Sequence, residues 1–528
     1  MVIKLQLEDG AFEQDIRELL MAFYPGAVFQ YENQGFPKGK GEKESEPDFI
    51  VSGRFLEEKR KYELKADRNR KRETEESVIT KAGTMPEWEI EGFRPVIQKG
   101  LREGLENQPF SIDVSNRTDT KNRIKRRLYF LLMLDTRKQL PWGALTGIRP
   151  VKIPEGKLAA GWDEEKISSF MEENYLTGET KRRLSIEIAK EERRLLNRLD
   201  YQKGYSLYVG IPFCPTTCLY CSFTSYPIEK WKDRLEEYLD ILEKELAIVC
   251  GAVPEKVLQT IYIGGGTPTS LPPKQLERLL MMLSNMFPLE TVKEFTVEAG
   301  RPDSITREKL QILKDFGVHR ISINPQTMNQ KTLDLIGRRH TVEQVEQVFS
   351  EAREAGFENI NMDLILGLPG EEEEEVKHTL DRVMELGPES LTVHCLALKR
   401  AARLNLEREQ YRHYHMASGE QIGILAGLAE ARARWMGMVP YYLYRQKNMA
   451  GNLENIGYAS KDNGCLYNIL MMEEKHTVIG CGAGTTTKVV IPEENRVERI
   501  ETIKNIQEYL PRFQEVLDKK RKFLQSFR

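Results

Sequence analysis

The chain has 528 residues, of which 40% are hydrophobic and 30% are charged, and its formal net charge is −3. This composition is that of a globular protein of two or three domains, and it lacks the basic excess typical of nucleic-acid binders. The acidic residues of the N-terminal segment MVIKLQLEDGAFEQD and the absence of a long apolar run in the sequence predict neither an export signal nor a membrane span. Seven cysteines, an odd and mostly scattered set, indicate a reducing compartment, and we expect the cytoplasm.

Residues 1–200 show no sustained periodic pattern, although individual elements can be predicted. Apolar spacing predicts helices at 11–24 and 121–135, and DFIVSGRFLEEKRKYELK predicts two strands joined by a turn. PWGALTGIRP is typical of a Gly/Pro loop, and two more helices are predicted at 163–175 and 179–200. We therefore predict an α+β N-terminal extension whose fold cannot be named from the sequence.

From Tyr205 onward, short runs rich in Val, Ile and Thr alternate with amphipathic helical stretches. The predicted strands are SLYVGI, LQTIYIGG, KEFTVEA, HRISINP, NINMDLILG and SLTVHCLAL. Apolar strands alternating with helices are typical of a parallel sheet with helices outside it. Six such units predict an α/β domain at 201–400, a partial (β/α)6 barrel with its functional groups at the carboxyl ends of the strands.

The remaining residues, 401–528, are predicted to form a mixed region that covers the open side of the barrel. A helical region is predicted from Glu407 to Met438. PYYLYRQKNMAGNLENIGYA and CLYNILMMEEKHTVIGCGAGTTTK look like strands and Gly-rich loops. The last stretch, IQEYLPRFQEVLDKKRKFLQSF, is predicted to be an amphipathic helix.

Three of the seven cysteines form a CxxxCxxC motif directly after the first predicted strand: Cys214, Cys218 and Cys221. Three thiolates on one loop can bind three irons of a [4Fe–4S] cluster and leave the fourth iron open to a substrate or cofactor. The alternative is a zinc site completed by a distant ligand such as Cys250. Simple burial of the three is disfavoured, because the intervening PTT makes a tight polar loop.

The second predicted strand ends in the glycine segment IYIGGGTPTS. Glycines at this place allow the backbone to approach a ligand closely, although a glycine run by itself also fits a tight turn. A CxxxCxxC loop followed by GGGTP resembles the radical S-adenosylmethionine (SAM) enzymes. The resemblance implies that SAM chelates the open iron of a [4Fe–4S] cluster and is cleaved by one electron to a radical that abstracts a hydrogen atom.

A narrower resemblance extends from Tyr208 to about Arg400, through YVGIPFC, TVEAGRPDSIT, RISINPQTMN, LIGRRHT and DLILGLPGE. These segments are similar to the oxygen-independent coproporphyrinogen III oxidase family. They are most similar to its branch with a long N-terminal extension, the coproporphyrinogen dehydrogenases of the HemZ type. The resemblance implies oxidative decarboxylation of two propionates of coproporphyrinogen III to the vinyls of protoporphyrinogen IX in haem biosynthesis, with a flavodoxin or ferredoxin as electron donor.

The resemblance also implies roles for individual residues. The first SAM, beside the cluster, would be held by Tyr208 (also the candidate catalytic side chain), Tyr220, Gly265, Glu298 and Thr486. A second SAM would be held by Gly266, Thr267, Gln326, Arg338, Asp363 and Ala397. Two alternatives remain at this level: Glu298 could form an ion pair with Arg301, and Arg338 could be an exposed surface cation.

The chain departs from the oxidase pattern at two positions. Gly210 stands where the oxidase usually has His, and Phe223 stands where it has a fourth cysteine. Because the wider family includes haem chaperones and haem-degrading methyltransferases, both remain alternative functions.

A substrate with four carboxylates requires cations near the barrel mouth. Candidates are Lys399, Arg400, Arg403 and Arg445, although a solvated basic run explains the first three equally well. His394 and Cys395, within the sixth strand, are predicted to be packed side chains rather than ligands.

Overall fold

The computed structural model of the protein describes residues 1–8, 10–31, 46–56, 58–68, 109–222, 225–253, 255–397, 402–406, 414, 417–446, 452–494 and 496–527. The chain forms two compact units. The first takes in Met1–Pro150, Gly156–Ile186 and Gly451–Leu453, and the second takes in Val151–Glu155, Glu187–Ala450 and Glu454–Arg528. The predicted division at residues 200 and 400 stays a prediction.

The first unit contains a five-stranded sheet in the order β2-β1-β3-β4-β5. Strand β1 is parallel to β2 and β3, whereas β3, β4 and β5 are antiparallel. Alternate residues of β1 are buried, and they join the apolar face of α1 and residues of α2 in one core. The elements up to α5 are β1 (Val2–Leu7), α1 (Glu13–Phe23), β2 (Val28–Tyr31), β3 (Phe49–Leu56), β4 (Lys61–Arg68), β5 (Phe110–Ser111), α2 (Arg117–Thr136), α3 (Lys152–Ala159), α4 (Glu164–Tyr175) and α5 (Glu179–Leu196).

The predicted N-terminal helices and the strand pair are therefore confirmed. Helix α3 was not predicted. The mixed order of the sheet was not predicted either, because the parallel pairing of β1 with β2 and β3 joins segments far apart in the chain.

The second unit contains an eleven-stranded sheet in the order β14-β15-β13-β12-β11-β10-β9-β6-β16-β17-β18. All six predicted barrel strands are confirmed, and they lie side by side and parallel in the middle of this sheet. A two-stranded ribbon of β7 and β8 lies in the segment after β6. These strands are β6 (Gly204–Ile211), β7 (Phe213–Cys214), β8 (Tyr226–Pro227), β9 (Val257–Gly265), β10 (Glu294–Gly300), β11 (Arg320–Ile323), β12 (Ile360–Leu366) and β13 (Ser390–Cys395).

The barrel helices connect successive strands and bury one apolar face each, as predicted. Helix α11 ends at Gly387, whose φ of 66° is the left-handed conformation that favours glycine at a C-cap. The short α9 was not predicted. The helices are α6 (Leu235–Cys250), α7 (Pro273–Met286), α8 (Arg307–Asp315), α9 (Gln330–Leu335), α10 (Val342–Glu354) and α11 (Glu373–Leu386).

The C-terminal elements extend the barrel sheet at both edges: β15 pairs with β13, and β16 pairs with β6. They are α12 (Arg403–Leu406), α13 (Gly419–Trp435), β14 (Val439–Tyr444), β15 (Asn455–Ala459), α14 (Leu466–Glu473), β16 (Thr477–Cys481), β17 (Thr486–Ile491), β18 (Arg496–Glu501), α15 (Ile506–Tyr509) and α16 (Phe513–Gln525). Helix α13 confirms the later part of the predicted helical region, whose first residues lie outside the described ones. Among the described residues, no helix is both long and apolar enough to span a membrane.

Two C-terminal predictions were wrong. The run LYNILMME is helix α14, not a strand, because the carboxylate of Glu294 accepts hydrogen bonds from the backbone N–H groups of Leu466 and Tyr467 at its start. The final helix is two helices, α15 and α16, with Pro511 between them. Proline lacks a backbone N–H and disfavours helical conformation of the residue before it.

Candidate functional site

The three cysteines lie on a loop that neighbouring segments hold in place. Leu219, between the second and third cysteine, donates its backbone N–H to the Ile336 carbonyl at 2.9 Å. The Thr216 hydroxyl donates to the Gly337 carbonyl at 3.2 Å. These bonds anchor the loop to the segment that follows α9, so the thiols are presented on a fixed backbone at the carboxyl end of β6.

Cys214 and Cys221 are partly exposed, and Cys218 is buried. Burial raises the pKa of the Cys214 thiol to about 11, and the neighbouring two thiols raise it further. A hydrogen bond with Thr267 and the charge of Arg301 act in the opposite direction. A thiol that resists ionisation beside two further thiols suits a cationic iron centre, which binds thiols as thiolates and removes the repulsion between them.

The zinc alternative with Cys250 is wrong. Cys250 ends α6, is exposed, and donates its S–H to the Met286 carbonyl at 2.8 Å. It lies near Tyr205 at the start of β6, whereas Cys214 follows the end of that strand, and six residues of strand span about 20 Å. Among the described residues, no group of three or more His, Cys, Asp or Glu side chains is arranged to hold a metal ion. In a [4Fe–4S] cluster each thiolate binds its own iron, so the three thiols do not have to converge on a single metal ion.

The glycine segment at the end of β9 lies directly against the cysteine loop. A Cβ atom on Gly266 would be 2.5 Å from the Phe213 carbonyl oxygen and 3.0 Å from Cys214 Sγ, so only glycine fits there. Gly265 has a φ of 113°, which also requires glycine. The adjacent Thr267 is buried, and its hydroxyl lies 3.5 Å from Cys214 Sγ. The structure thus brings these three predicted residues beside the predicted cluster ligands.

Glu298 lies on β10, next to the glycine segment of β9. Its Oε1 accepts a hydrogen bond from the Tyr262 hydroxyl at 2.6 Å, and the backbone of Gly265 donates to it as well. Burial raises the pKa of Glu298 to about 7, and the charge of Asp363 adds to this, whereas the two hydrogen bonds lower it. The expected alternative, an ion pair with Arg301, is wrong, because Arg301 pairs with a different carboxylate.

Tyr208 lies in a stack of three tyrosine rings. Its ring centroid is 6.0 Å from that of Tyr262 and 5.9 Å from that of Tyr467, and the latter two are 4.5 Å apart. Tyr208 is therefore linked to Glu298 by way of Tyr262, whose ring stacks on that of Tyr208 and whose hydroxyl donates to Glu298. The stack forms part of the core between the barrel strands and α14.

Arg338 is buried, with 4% of its surface exposed, so the surface-cation alternative is wrong. Its guanidinium donates to the Tyr220 hydroxyl at 3.0 Å, to the Gly300 carbonyl at 3.2 Å and to the Asn324 carbonyl at 2.5 Å. It thereby ties the cysteine loop to the carboxyl ends of β10 and β11. Tyr220, adjacent to Cys221, is fixed by this bond.

Gln326 and Asp363 lie together after β11 and within β12. The Gln326 backbone N–H donates to the Asp363 carbonyl at 3.0 Å, and Gln326 adopts a φ of 69°, unusual for a residue with a side chain. Burial would raise the pKa of Asp363, but hydrogen bonding and the charge of His394 lower it below its usual range. Ala397 lies two residues after β13.

His394 is not the packed side chain that the sequence predicted. Its side chain is 26% exposed, its Nε2 lies 3.9 Å from Asp363 Oδ2, and its Nδ1 lies 3.4 Å from the Tyr444 hydroxyl. The strand register is what reveals this placement: Thr392 pairs with Asp363, and His394 lies on the same face of the sheet as Thr392. Cys395 is buried as predicted, with its S–H donating to the Glu454 carbonyl at 3.2 Å.

In the hairpin of β16 and β17, Thr485 lies against Gly210 of β6, and the role predicted for the next residue, Thr486, at the first SAM stays a prediction. Thr486 begins β17 and pairs with Glu501 of β18. A Cβ atom on Gly210 would lie 2.6 Å from Cγ2 of Thr485, so this methyl group occupies the place where a side chain at 210 would start. The hairpin therefore leaves no room for a larger side chain at position 210. Phe223, Lys399 and Arg400 lie outside the described residues.

A model of the Radical SAM superfamily matches residues 208–383 of the chain. Over 424 residues the chain is 39% identical to the oxygen-independent coproporphyrinogen-III oxidase-like protein HemZ of Bacillus subtilis, covering 79% of this chain and 84% of that protein. The chain belongs to this HemZ family. Its superfamily uses a [4Fe–4S] cluster and SAM as cofactors.

Two further relatives have other names. The chain is 34% identical over 302 residues to the heme chaperone HemW of Bacillus subtilis, covering 56% of this chain and 76% of that protein. The solved structure of coproporphyrinogen III oxidase (HemN) from Escherichia coli has a TM-score of 0.48 and 24% identity, covering 61% of this chain and 72% of that one.

The residues present fit the two cofactors of the HemZ family. The cysteine loop offers three thiols, and the backbone at Gly266 lies so close to Cys214 that a side chain there is excluded. Glu298 supplies a carboxyl beside the glycine segment, and the buried Gln326 Oε1 has no hydrogen-bond partner within the described part of the chain. An acceptor left open in this way suits a ligand that donates a hydrogen bond.

Proposed function

We propose that the protein is an oxidoreductase that converts two propionate side chains of coproporphyrinogen III into the vinyl groups of protoporphyrinogen IX. When bound, the cluster and SAM supply the radical that removes a hydrogen atom from the propionate carbon next to the pyrrole. Each propionate then loses carbon dioxide and one electron, which an external acceptor must take. The task of this chain's residues is to fix the cofactor, exclude water and hold the propionate in reach.

The observation that carries the proposal is the carboxyl of Glu298, held by Tyr262 and Gly265 beside the cysteine loop. A carboxyl group with a pKa near 7 can accept hydrogen bonds from the ribose hydroxyls or the ammonium group of SAM once it is ionised. The name of the HemZ relative, an oxidase-like protein, supports the same reaction.

Cations at the barrel mouth are proposed to bind the substrate carboxylates. Arg403 is exposed at the start of α12, and the next residue, Leu404, donates its N–H to the Leu219 carbonyl within the cysteine loop at 2.9 Å. His394 lies at the carboxyl end of β13 with an accessible ring. Arg445 follows β14, which runs in the same direction as β13, and burial lowers the pKa of its guanidinium to about 10. All three therefore belong to the edge where the cysteines lie.

The electron donor is proposed to be a flavodoxin or a ferredoxin, since the cluster needs one electron at low potential for each SAM that is cleaved. The proposed location is the cytoplasm, where thiols such as the seven cysteines of this chain stay reduced.

Haem binding is the second candidate function, and two observations favour it. The HemW relative is named a heme chaperone, and the partly exposed His394 ring could ligate iron. The two functions differ in what the protein consumes: an oxidase consumes SAM and coproporphyrinogen, whereas a chaperone binds haem without turnover.

One anaerobic assay separates these functions. The protein is reconstituted with iron and sulfide, and its cluster is reduced with stoichiometric dithionite. It is then incubated with SAM, an added electron acceptor such as a quinone, and coproporphyrinogen III, haem or no tetrapyrrole. The proposed function predicts that protoporphyrinogen IX and carbon dioxide form with coproporphyrinogen alone. Turnover of haem to an open tetrapyrrole, or tight haem binding with no porphyrinogen product, would replace it with a family alternative.

Arg403→Gln and Arg403→Lys provide the matched test of substrate binding. Loss of the charge should raise KM for coproporphyrinogen at least about tenfold, because a charge-assisted hydrogen bond contributes about 1.5–3 kcal/mol. The lysine variant should keep most of the affinity. SAM cleavage without substrate should be equal in all three proteins, which separates a binding defect from a damaged cluster.

A further inference from the structure

Arg301 is a buried cation beside the cysteine loop with no role in the function proposed above. It directly follows β10, and only 4% of its surface is exposed. Its Nη1 lies 3.5 Å from Cys218 Sγ and donates to the Thr216 hydroxyl at 2.9 Å. One guanidinium nitrogen therefore contacts both a predicted cluster ligand and the loop between the first two cysteines.

Asp303 fixes the orientation of this guanidinium. Arg301 Nε donates to Asp303 Oδ1 at 2.8 Å, and its Nη2 donates to Oδ2 at 2.5 Å. Burial alone would raise the pKa of Asp303, but the bonds to Arg301 and its charge lower it. The carboxylate thus stays ionised and holds two nitrogens of the fork, so the third nitrogen points at the sulfur.

The Arg301–Asp303 ion pair has its guanidinium, the positive group, on the side of the thiols. The nitrogen that lies 3.5 Å from Cys218 Sγ, Nη1, is the one that does not bind Asp303, which pairs with Nε and Nη2. A fixed cation that donates a hydrogen bond to a thiolate withdraws negative charge from it, and such bonds raise the reduction potential of iron–sulfur clusters.

We propose that Arg301 is a positioning residue that holds the loop between Cys214 and Cys218 and raises the reduction potential of the cluster. The inference rests on the cluster of the HemZ family and not on the decarboxylation. A higher potential lets a weaker donor reduce the cluster, so Arg301 sets which electron donors the protein can use. Asp303 acts through Arg301 by keeping the fork in place.

The test is the midpoint potential of the reconstituted cluster in the full-length protein, followed by electron paramagnetic resonance with neither substrate nor SAM present. Arg301→Gln removes the charge and should lower the midpoint potential and the fraction of cluster that dithionite reduces. Arg301→Lys keeps the charge without the fork and should lower it less. Arg307→Gln is the control, because it removes one charge from a side chain that is 64% exposed on α8, and its potential should match the wild type.

Each outcome decides the proposal. An unchanged potential in Arg301→Gln with full iron content would overturn it, as would an equal drop in Arg307→Gln. If Arg301→Gln loses its iron, the midpoint potential is measured in Arg301→Lys instead. A potential in Arg301→Lys equal to that of the wild type would show that the oriented hydrogen bond of Arg301 does not raise the potential. Because no tetrapyrrole is present, failure of the proposed decarboxylation leaves these readouts unaffected.

Discussion

Tyr262 donates its phenolic hydrogen to Glu298 Oε1 across 2.6 Å, joining the neighbouring strands β9 and β10 beside the cysteine loop. The bond has two effects on the carboxyl. It fixes the position of Oε1, and it lowers a pKa that burial raises to about 7. The other groups that act on this carboxyl are the charge of Asp363, which raises the pKa, and the Gly265 N–H and Arg320, which lower it.

Replacing Tyr262 with Phe should shift the pH dependence of SAM binding. If SAM binds the ionised carboxylate, its affinity rises as the pH rises through about 7, and loss of the hydroxyl moves this midpoint upward because the pKa of Glu298 rises. Affinity measured by calorimetry across neutral pH checks this. Tyr467→Phe, which removes a hydroxyl from the same stack, is the control; an equal shift in that variant, or none in Tyr262→Phe, would contradict the prediction.

The same carboxyl should make the cofactor-free protein less stable as the pH rises. The folded pKa of about 7 lies above the ordinary value of 4.5, so the folded protein binds more protons than the unfolded chain between these values. The free energy of unfolding should therefore fall through this window, by on the order of 3 kcal/mol for this group. Glu298→Gln should show a shallower slope in urea unfolding at a series of pH values. Identical slopes would mean that the carboxyl is ionised throughout.

A side chain at Gly210 should destabilise the protein, and a smaller residue at 485 should relieve the effect. The Cβ of Gly210→Ala would lie 2.6 Å from Cγ2 of Thr485, and overpacking of this kind costs about 1–3 kcal/mol. Thr485→Ser removes this methyl and keeps the hydroxyl bond to the Gly482 carbonyl. The double variant should be more stable than Gly210→Ala alone, as a double-mutant cycle would show. Gly251→Ala, with open space around its Cβ, should be near neutral.

The barrel could be predicted from the sequence because each of its strands is a compact run of Val, Ile and Thr between amphipathic helices. The same reasoning failed for LYNILMME, whose helical start depends on the carboxylate of Glu294, 172 residues earlier in the chain. Short apolar runs fit a strand or a helix equally well until such partners are known.

The cysteine loop and the glycine segment could be predicted because each is a local motif. Arg338 was harder, since its burial depends on the carbonyls of Gly300 and Asn324, which the fold brings to it. His394 and Thr485 were missed for the same reason: their partners, Asp363 and Gly210, are on other strands. Contacts between distant segments define these positions, and no local pattern contains them.

Cys214→Ser should abolish the brown iron–sulfur absorbance and SAM cleavage, whereas Cys250→Ser should preserve both. Cys214 lies against the glycine segment, with Thr267 at 3.5 Å, whereas Cys250 is exposed at the end of α6. Iron and sulfide content, measured after anaerobic reconstitution, checks the prediction. A colourless wild-type protein that carries zinc would contradict it.

Lys520 on α16 and Glu245 on α6 form a buried ion pair that anchors the C-terminal helix, and breaking it should be costly. Glu245 also accepts hydrogen bonds from the Gly482 N–H at 2.7 Å and the Tyr509 hydroxyl at 2.8 Å, so the pair reaches the hairpin that packs on Gly210. Lys520→Met leaves the carboxylate uncompensated and should lower the free energy of unfolding by about 3–5 kcal/mol.

Adding Glu245→Gln to Lys520→Met should recover part of this loss, because the amide keeps an acceptor and removes the unpaired charge. Lys519→Met changes the exposed neighbour and should alter stability little. Urea unfolding of the four proteins measures the differences. A double variant less stable than Lys520→Met would mean that the bonds from Gly482 and Tyr509 to the ionised carboxylate stabilise the fold by more than its unpaired charge costs. In that case these bonds hold the hairpin on β6.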